Sequence, residues 1–169
     1  MLTLLKIRNI ALIDSLEVEF GEGLNLLTGE TGSGKSIIVD SLGALTGDRV
    51  SSDLIKEGEQ SATIEGLFRV TRCEELIPLF EESGIELDDD DVIVRRELST
   101  TGKNRVFINN QLVTQGLLKR AGTYLVDIHG QGEQTLSNRG RTHCLGGNAK
   151  RVNGTSAGRI RQTSTSRYS

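Results

Sequence analysis

The chain lacks tryptophan, has a single proline (Pro78) and two cysteines, and is only 4% aromatic. Cys73 and Cys144 stand far apart and form no C-x-x-C pair, which speaks against a disulfide framework or a zinc site; two reduced thiols in a cytosolic protein are expected. No apolar run approaches membrane-spanning length, and Lys6, Arg8, Asp14 and Glu17 interrupt the apolar core that a signal peptide would need. A soluble, cytoplasmic chain with no membrane partner is expected. Hydrophobic residues reach 36%, low for a compact domain, and the deficit is uneven. Residues 1–134 hold all 23 acidic residues and 13 of the 20 basic ones, a balance of −10, whereas residues 135–169 hold seven basic residues and no carboxylate, a balance of +7. The formal net charge of −3 therefore hides two unlike segments.

What the chain does have is Gly29-Glu30-Thr31-Gly32-Ser33-Gly34-Lys35-Ser36, which reads G-x-x-x-x-G-K-[ST]. A loop that wraps a polyphosphate with consecutive backbone N–H groups must lack side chains where backbone meets phosphate, and Gly29, Gly32 and Gly34 meet that need. A helix starting near Gly34 points its unpaired N–H groups and positive dipole end at the anion. Lys35 is then expected to reach the β- and γ-phosphates of ATP, and the Ser36 hydroxyl to ligate Mg²⁺. The dinucleotide fingerprint G-x-G-x-x-G does not fit, because Ile37 stands where its third glycine belongs.

The flanks agree with a strand, loop and helix. Leu24 to Leu27 is an apolar run suited to a buried strand, and Ile37 to Leu45 reads as a helix ending near Gly47, buried on more than one side. Leu2 to Ile7 is expected to be a first strand, and Leu16, Val18 and Phe20 alternate with Glu17 and Glu19 as in a strand with one solvated face. Ser61 to Val70 reads as a strand, and Glu74 to Glu82 as a short helix with Leu76, Ile77, Leu79 and Phe80 inward, kinked or started by Pro78. Asp40, one turn after Ser36, suits support of the Mg²⁺ shell and an ordinary helix-surface or capping role equally, whereas Arg49 is expected to be a surface arginine rather than a contact to phosphate or a partner subunit. Asp88 to Asp91 lacks the glycine and ligand spacing of a calcium loop and is expected to be a solvated connector.

Val92-Ile93-Val94 and Val106-Phe107-Ile108 flank a polar turn and predict a β-hairpin, on which Arg95, Arg96, Lys103 and Arg105 cluster. The cluster suits DNA phosphate, a partner helix, or an edge protected by charge. Thr114 to Arg120 is expected to be a helix and Thr123 to Ile128 a buried strand. Asp127 at the end of that strand suggests a Walker B carboxylate, but no glutamate follows, and physics alone leaves the choice open.

Leu4 to Phe20, Gly23-Leu24-Asn25, Gly29 to Ser36, Arg95-Arg96, Ile108-Asn109 and Ile128-His129-Gly130-Gln131 together resemble the amino-terminal half of the ATPase head of the bacterial RecN family of DNA double-strand-break repair proteins, relatives of the SMC proteins. The resemblance covers about residues 1–134. It implies an α/β fold, the N-terminal lobe of an ABC-type P-loop NTPase head with an antiparallel β portion, in which ATP is sandwiched between two heads and hydrolysis is tied to DNA. It implies that Gly29 to Ser36 are the Walker A loop and that Gln131 is the Q-loop glutamine, approaching Mg²⁺ and the attacking water. Asp127 then becomes a strand residue before that loop. Arg8 and Asn9 would lie near the nucleotide.

The implied partners are DNA, a second ATPase head in a homodimer, and a C-terminal half supplying the signature loop, Walker B acids and switch histidine, none of which is found here. The chain is therefore expected to bind nucleotide without completing hydrolysis. A P-loop kinase and a non-catalytic half-head are the rival readings; the long β-hairpin region argues against the first. Residues 135–169, with ten Ser or Thr, five Gly and no apolar stripe, are expected to be disordered and to lie outside the native reading frame, with a DNA-binding tail as the functional rival.

Overall fold

The computed structural model describes residues 1–28, 34–70, 75–87 and 90–126 and the backbone of 160–162. Its centre is an antiparallel sheet. β1 (Leu2–Ile10) and β2 (Ile13–Glu19) form a hairpin, β1 pairs on its other side with β3 (Ser61–Arg69), and β3 pairs with β4 (Asp91–Ser99). β5 (Arg105–Ile108) and β6 (Gln111–Val113) continue the sheet beyond β4, and β7 (Ile160–Gln162) adds to β2, giving the order β6-β5-β4-β3-β1-β2-β7. β7 is the described part of residues 135–169, and the rest of the tail lies outside the described residues.

Period-2 alternation sets the two faces. On the inner face the register aligns Val18, Leu5, Gly66, Val94 and Ile108 in one row and Leu16, Ile7, Ile64, Arg96 and Val106 in the next. Apart from Gly66 and Arg96 these are buried apolar side chains, and they make the floor of the core. On the outer face Glu17, Lys6, Glu65, Arg95, Phe107 and Leu112 align in a row of largely alternating charge, with Lys6 3.6 Å from Glu17 and the Arg95 guanidinium 4.6 Å above the Phe107 ring. One face is therefore built for helices and the other for water.

Among the described residues three α-helices pack on the inner side: α1 (Lys35–Thr46), α2 (Leu76–Glu82) and α3 (Gln115–Leu125). Gly66 admits α1, since a Cβ there would lie 2.6 Å from Leu45 Cδ1. Gly122 admits α1 to α3, since a Cβ there would lie 2.3 Å from the Thr46 carbonyl oxygen. Pro78 falls within the first turn of α2, where its missing N–H costs nothing, so the helix is neither kinked nor started by it.

Several expectations need correction. Residues 24–28 form no strand, and Leu24 and Leu26 are 68% and 65% exposed, because no described strand lies beside them to accept their backbone and cover their side chains. α1 is exposed along one side of its first half, with Val39 52% exposed, while the successive residues Gly43, Ala44 and Leu45 are buried, so its second half is enclosed on more than one side as expected. Ile77 of α2 faces out, while Leu76, Leu79 and Phe80 face in. Thr123 to Leu125 complete α3 instead of starting a strand; an apolar run this short is ambiguous, and the Thr114 hydroxyl that accepts from the Leu117 N–H fixes the helical start.

Candidate phosphate-binding site

The approach to the glycine loop is a turn held by one side chain. The Asn25 carboxamide accepts from the Gly21 N–H at 3.0 Å and donates to the Gly21 carbonyl at 2.9 Å, closing the turn in which Gly23 takes a φ of 84° that suits glycine. Sequence reasoning quoted Asn25 without giving it this role; an Asn two residues after a glycine in a turn is the signal. Gly29, Glu30, Thr31, Gly32 and Ser33 lie outside the described residues.

The loop's last three positions are described, and they begin α1. Gly34 is the N-cap at φ 86°, left-handed, and its carbonyl accepts the Ile38 N–H at 3.2 Å. No side-chain hydrogen bond from Gly34 caps this end, and no acidic residue occupies the first turn of α1. Lys35 is half-buried and Ser36 exposed, both in the first turn. Beside them is the β1–β2 hairpin, whose Ile13 Cδ1 would sit 3.8 Å from a Cβ at Gly34. That neighbour was not read from sequence; the hairpin's tip, Ala11 at φ 50° followed by a Leu12 that is almost wholly exposed, is where it shows.

Arg8 is exposed, while Asn9 is spent on structure, its amide donating to Glu59 at 3.1 Å and to the Ser61 carbonyl at 3.3 Å. Asp40 and Arg49 are exposed. Gln131 and Asp127 lie outside the described residues, and among the described residues no cluster of three His, Cys, Asp or Glu could hold a metal. Mg²⁺ suits such a site none the less, because it takes few protein oxygens and relies on substrate phosphates, and the exposed Ser36 hydroxyl is one donor of the right kind.

The other end of α1 carries a feature the sequence reading misplaced. Arg96 belonged to the basic cluster expected on the hairpin surface, yet it is 1% exposed. It stands opposite Ile64 and Val106, on the inner face, and period 2 counted from Val92 and Val94 would have put it there. Its Nη1 donates to the Ala44 carbonyl at 2.9 Å and the Asp48 carbonyl at 2.6 Å, and its Nη2 to Gln115 Oε1 at 3.3 Å. Gln115 in turn donates to the Gly47 carbonyl at 3.3 Å. Burial pulls the Arg96 pKa below the usual arginine value, and the nearby Asp48 charge partly opposes that. Arg95 faces outward and pairs with Glu97 at 3.6 Å.

An antiparallel sheet of this order, with the helix that begins at the end of the G-x-x-x-x-G-K-S motif packed on it, has the fold of the amino-terminal lobe of a P-loop head of the ABC and SMC type. The chain belongs to the AAA domain family, whose model matches residues 4–156. Among curated proteins it is similar to the DNA repair protein RecN of Bacillus subtilis (strain 168), 43% identical over 136 residues, which is 80% of this chain and 24% of that protein. RecN of Halalkalibacterium halodurans is 47% identical over 137 residues, again 80% of this chain and 24% of the relative. The chain thus spans about a quarter of the length of these relatives.

Among solved structures, the Smc head domain with an extended coiled coil bound to the C-terminal domain of ScpA, from Pyrococcus furiosus, superposes with a TM-score of 0.59 at 20% identity, covering 74% of this chain and 33% of that one. The SMC head domain from Thermotoga maritima gives 0.53 at 23% identity, covering 71% and 41%. The recombination mediator RecF with a bound ATP analogue gives 0.55 at 19%, covering 70% and 29%. At these identities the likeness establishes the fold.

Proposed function

We propose that residues 1–134 are the phosphate-binding side of a RecN-like DNA-repair ATPase head, which takes ATP or ADP with Mg²⁺ but does not complete hydrolysis. The observation that carries this is the start of α1: a left-handed Gly34, the second fixed glycine of the G-x-x-x-x-G-K-S motif, opens a helix whose first turn has neither a side-chain cap nor an acidic residue. Gly29 to Gly34 hold the phosphates by backbone N–H groups, Lys35 neutralises the β- and γ-phosphates, and Ser36 supplies one Mg²⁺ ligand. Mg²⁺, when bound, screens the phosphate charge and orients the terminal phosphate. Gln131 is assigned to the attacking water.

The exposed Leu24, Leu26 and Val39 support a second element of the proposal, that a C-terminal half of the head covers them. That half would bring the Walker B acids, and a second head would close the nucleotide sandwich. DNA-stimulated activation and ATP-driven dimerisation are described for the SMC ATPases whose head the fold matches. DNA is accordingly the expected macromolecular partner.

Calorimetry with MgADP on wild type and Lys35→Ala tests the site. Removing the charge-assisted contact costs about 1.5–3 kcal/mol, roughly ten- to hundredfold in affinity. Equal binding by the two proteins would contradict the assignment, and steady ATP turnover that disappears in Lys35→Ala would overturn the proposal of incomplete hydrolysis.

A further inference from the structure

We infer that Arg96 is a positioning residue for the phosphate site, acting through the far end of α1; the inference rests on the reading of Gly34 to Ser36 as that site. α1 is 12 residues long, so about 18 Å separates its two ends. Its first turn holds no acidic residue and its last turn no basic one. The cation that a helix C-terminus favours arrives instead from β4, as the Arg96 guanidinium on the carbonyls of Ala44 and Asp48.

Three elements are tied at this point. Arg96 stands in the sheet, its bonds reach the end of α1, and Gln115, the first residue of α3, bonds both Arg96 and the Gly47 carbonyl. Gly47 itself lies close against α3, since a Cβ on it would meet Lys119 Cα at 2.7 Å. With its C-terminal end fixed to sheet and α3, the helix holds Gly34, Lys35 and Ser36 at one place relative to the β1–β2 hairpin. Without Arg96, part of the binding free energy of a phosphate ligand goes into ordering the helix, and affinity falls by that amount. An apolar substitute at this position keeps the core filled but leaves the carbonyls of Ala44 and Asp48 without their donor.

The test uses the full chain with Arg96→Met, Arg96→Lys and Gln115→Ala, read by MgADP affinity and by amide hydrogen exchange under conditions where each variant is folded. In Arg96→Met, affinity falls about three- to tenfold and the Ile38 amide, bonded to Gly34, exchanges faster by a similar factor, while the sheet amides of Ile64 and Val94 keep their protection. Arg96→Lys recovers part of both, because an ammonium can donate to the same two carbonyls. Gln115→Ala moves both in the same direction by about twofold, and it carries the comparison if Arg96→Met does not fold. Unchanged affinity with unchanged Ile38 protection overturns the inference. So does an even loss of protection across Ile38, Ile64 and Val94, which marks a merely structural residue. If neither wild type nor Lys35→Ala binds MgADP, the phosphate-site reading fails, and the contrast between Ile38 and the sheet amides decides the role of Arg96 alone.

Discussion

The two sides of α1 differ in how far the chain completes its own structure. Toward the sheet, α1 meets strands whose neighbours all lie within the described residues: β1, β3 and β4 are each paired on both edges, and Leu5, Ile7, Ile64, Phe68, Val92 and Val94 are buried. Away from the sheet α1 exposes Val39, and residues 24–28, which lead toward the glycine loop, have the apolar composition of a central strand but no pairing among the described residues. The sheet side is built from hairpins and near neighbours, whose pairing needs nothing outside the lobe. A strand leading into a P-loop belongs to a parallel arrangement, which needs strands from elsewhere in the chain. The candidate phosphate site therefore sits on the border between a finished half and an unfinished one, and α1 belongs to both.

The largest expected effect lies on the finished side. Phe68 is fully buried opposite Val92, and Phe68→Ala is expected to cost about 3–5 kcal/mol, a large share of the stability of a lobe this size. Urea denaturation followed by circular dichroism measures it. A cost under about 1 kcal/mol would break the comparison, because the sheet side would then be no better packed than the exposed one. A smaller effect is expected where α1 meets α3. In Gly122→Ala the new methyl meets the backbone of Thr46, which cannot rotate away, so the two helices must separate at a cost of about 1–3 kcal/mol. The same denaturation series checks it, and a stabilised Gly122→Ala would mean that the helix contact is looser than its geometry.

What could be read from the sequence follows the same border. Strands β1 to β5 were legible because each carries its own period: Ala62, Ile64, Gly66 and Phe68 alternate, and the alternation survives whatever packs on it, whereas the three-residue β6 and β7 carry no such signal and were not read as strands. The helix after the glycine loop was legible as well, down to its end at Gly47, which adopts φ 103°. Arg96 was misread as surface because charge was weighed before phase, although Val92 and Val94 set that phase. Leu24 to Leu27 was misread for a different reason. An apolar run says that a segment is suited to burial, and whether it is buried depends on neighbours that local sequence does not encode. For the site, the motif named eight positions, and the described residues place three of them, Gly34, Lys35 and Ser36.

The smallest expected effect is the sharpest test of the comparison. Leu26 is 65% exposed, so Leu26→Ser in this chain removes little area that folding had taken from water, and its stability is expected to stay within about 0.5 kcal/mol of wild type. If residues 24–28 are the strand that a C-terminal half completes, the same substitution should behave differently once that half is present. Burying a leucine side chain contributes about 1.5–3 kcal/mol, so Leu26→Ser should then weaken association of the two halves by roughly ten- to hundredfold. Denaturation of the chain alone, and titration of wild type and Leu26→Ser with the separately expressed second half of a RecN head, give the two numbers. A large cost in the chain alone would show that Leu26 is already covered and that the border lies elsewhere. Equal association by wild type and variant would mean that the second half docks on some other face, leaving Leu24 and Leu26 as ordinary exposed residues of a loop.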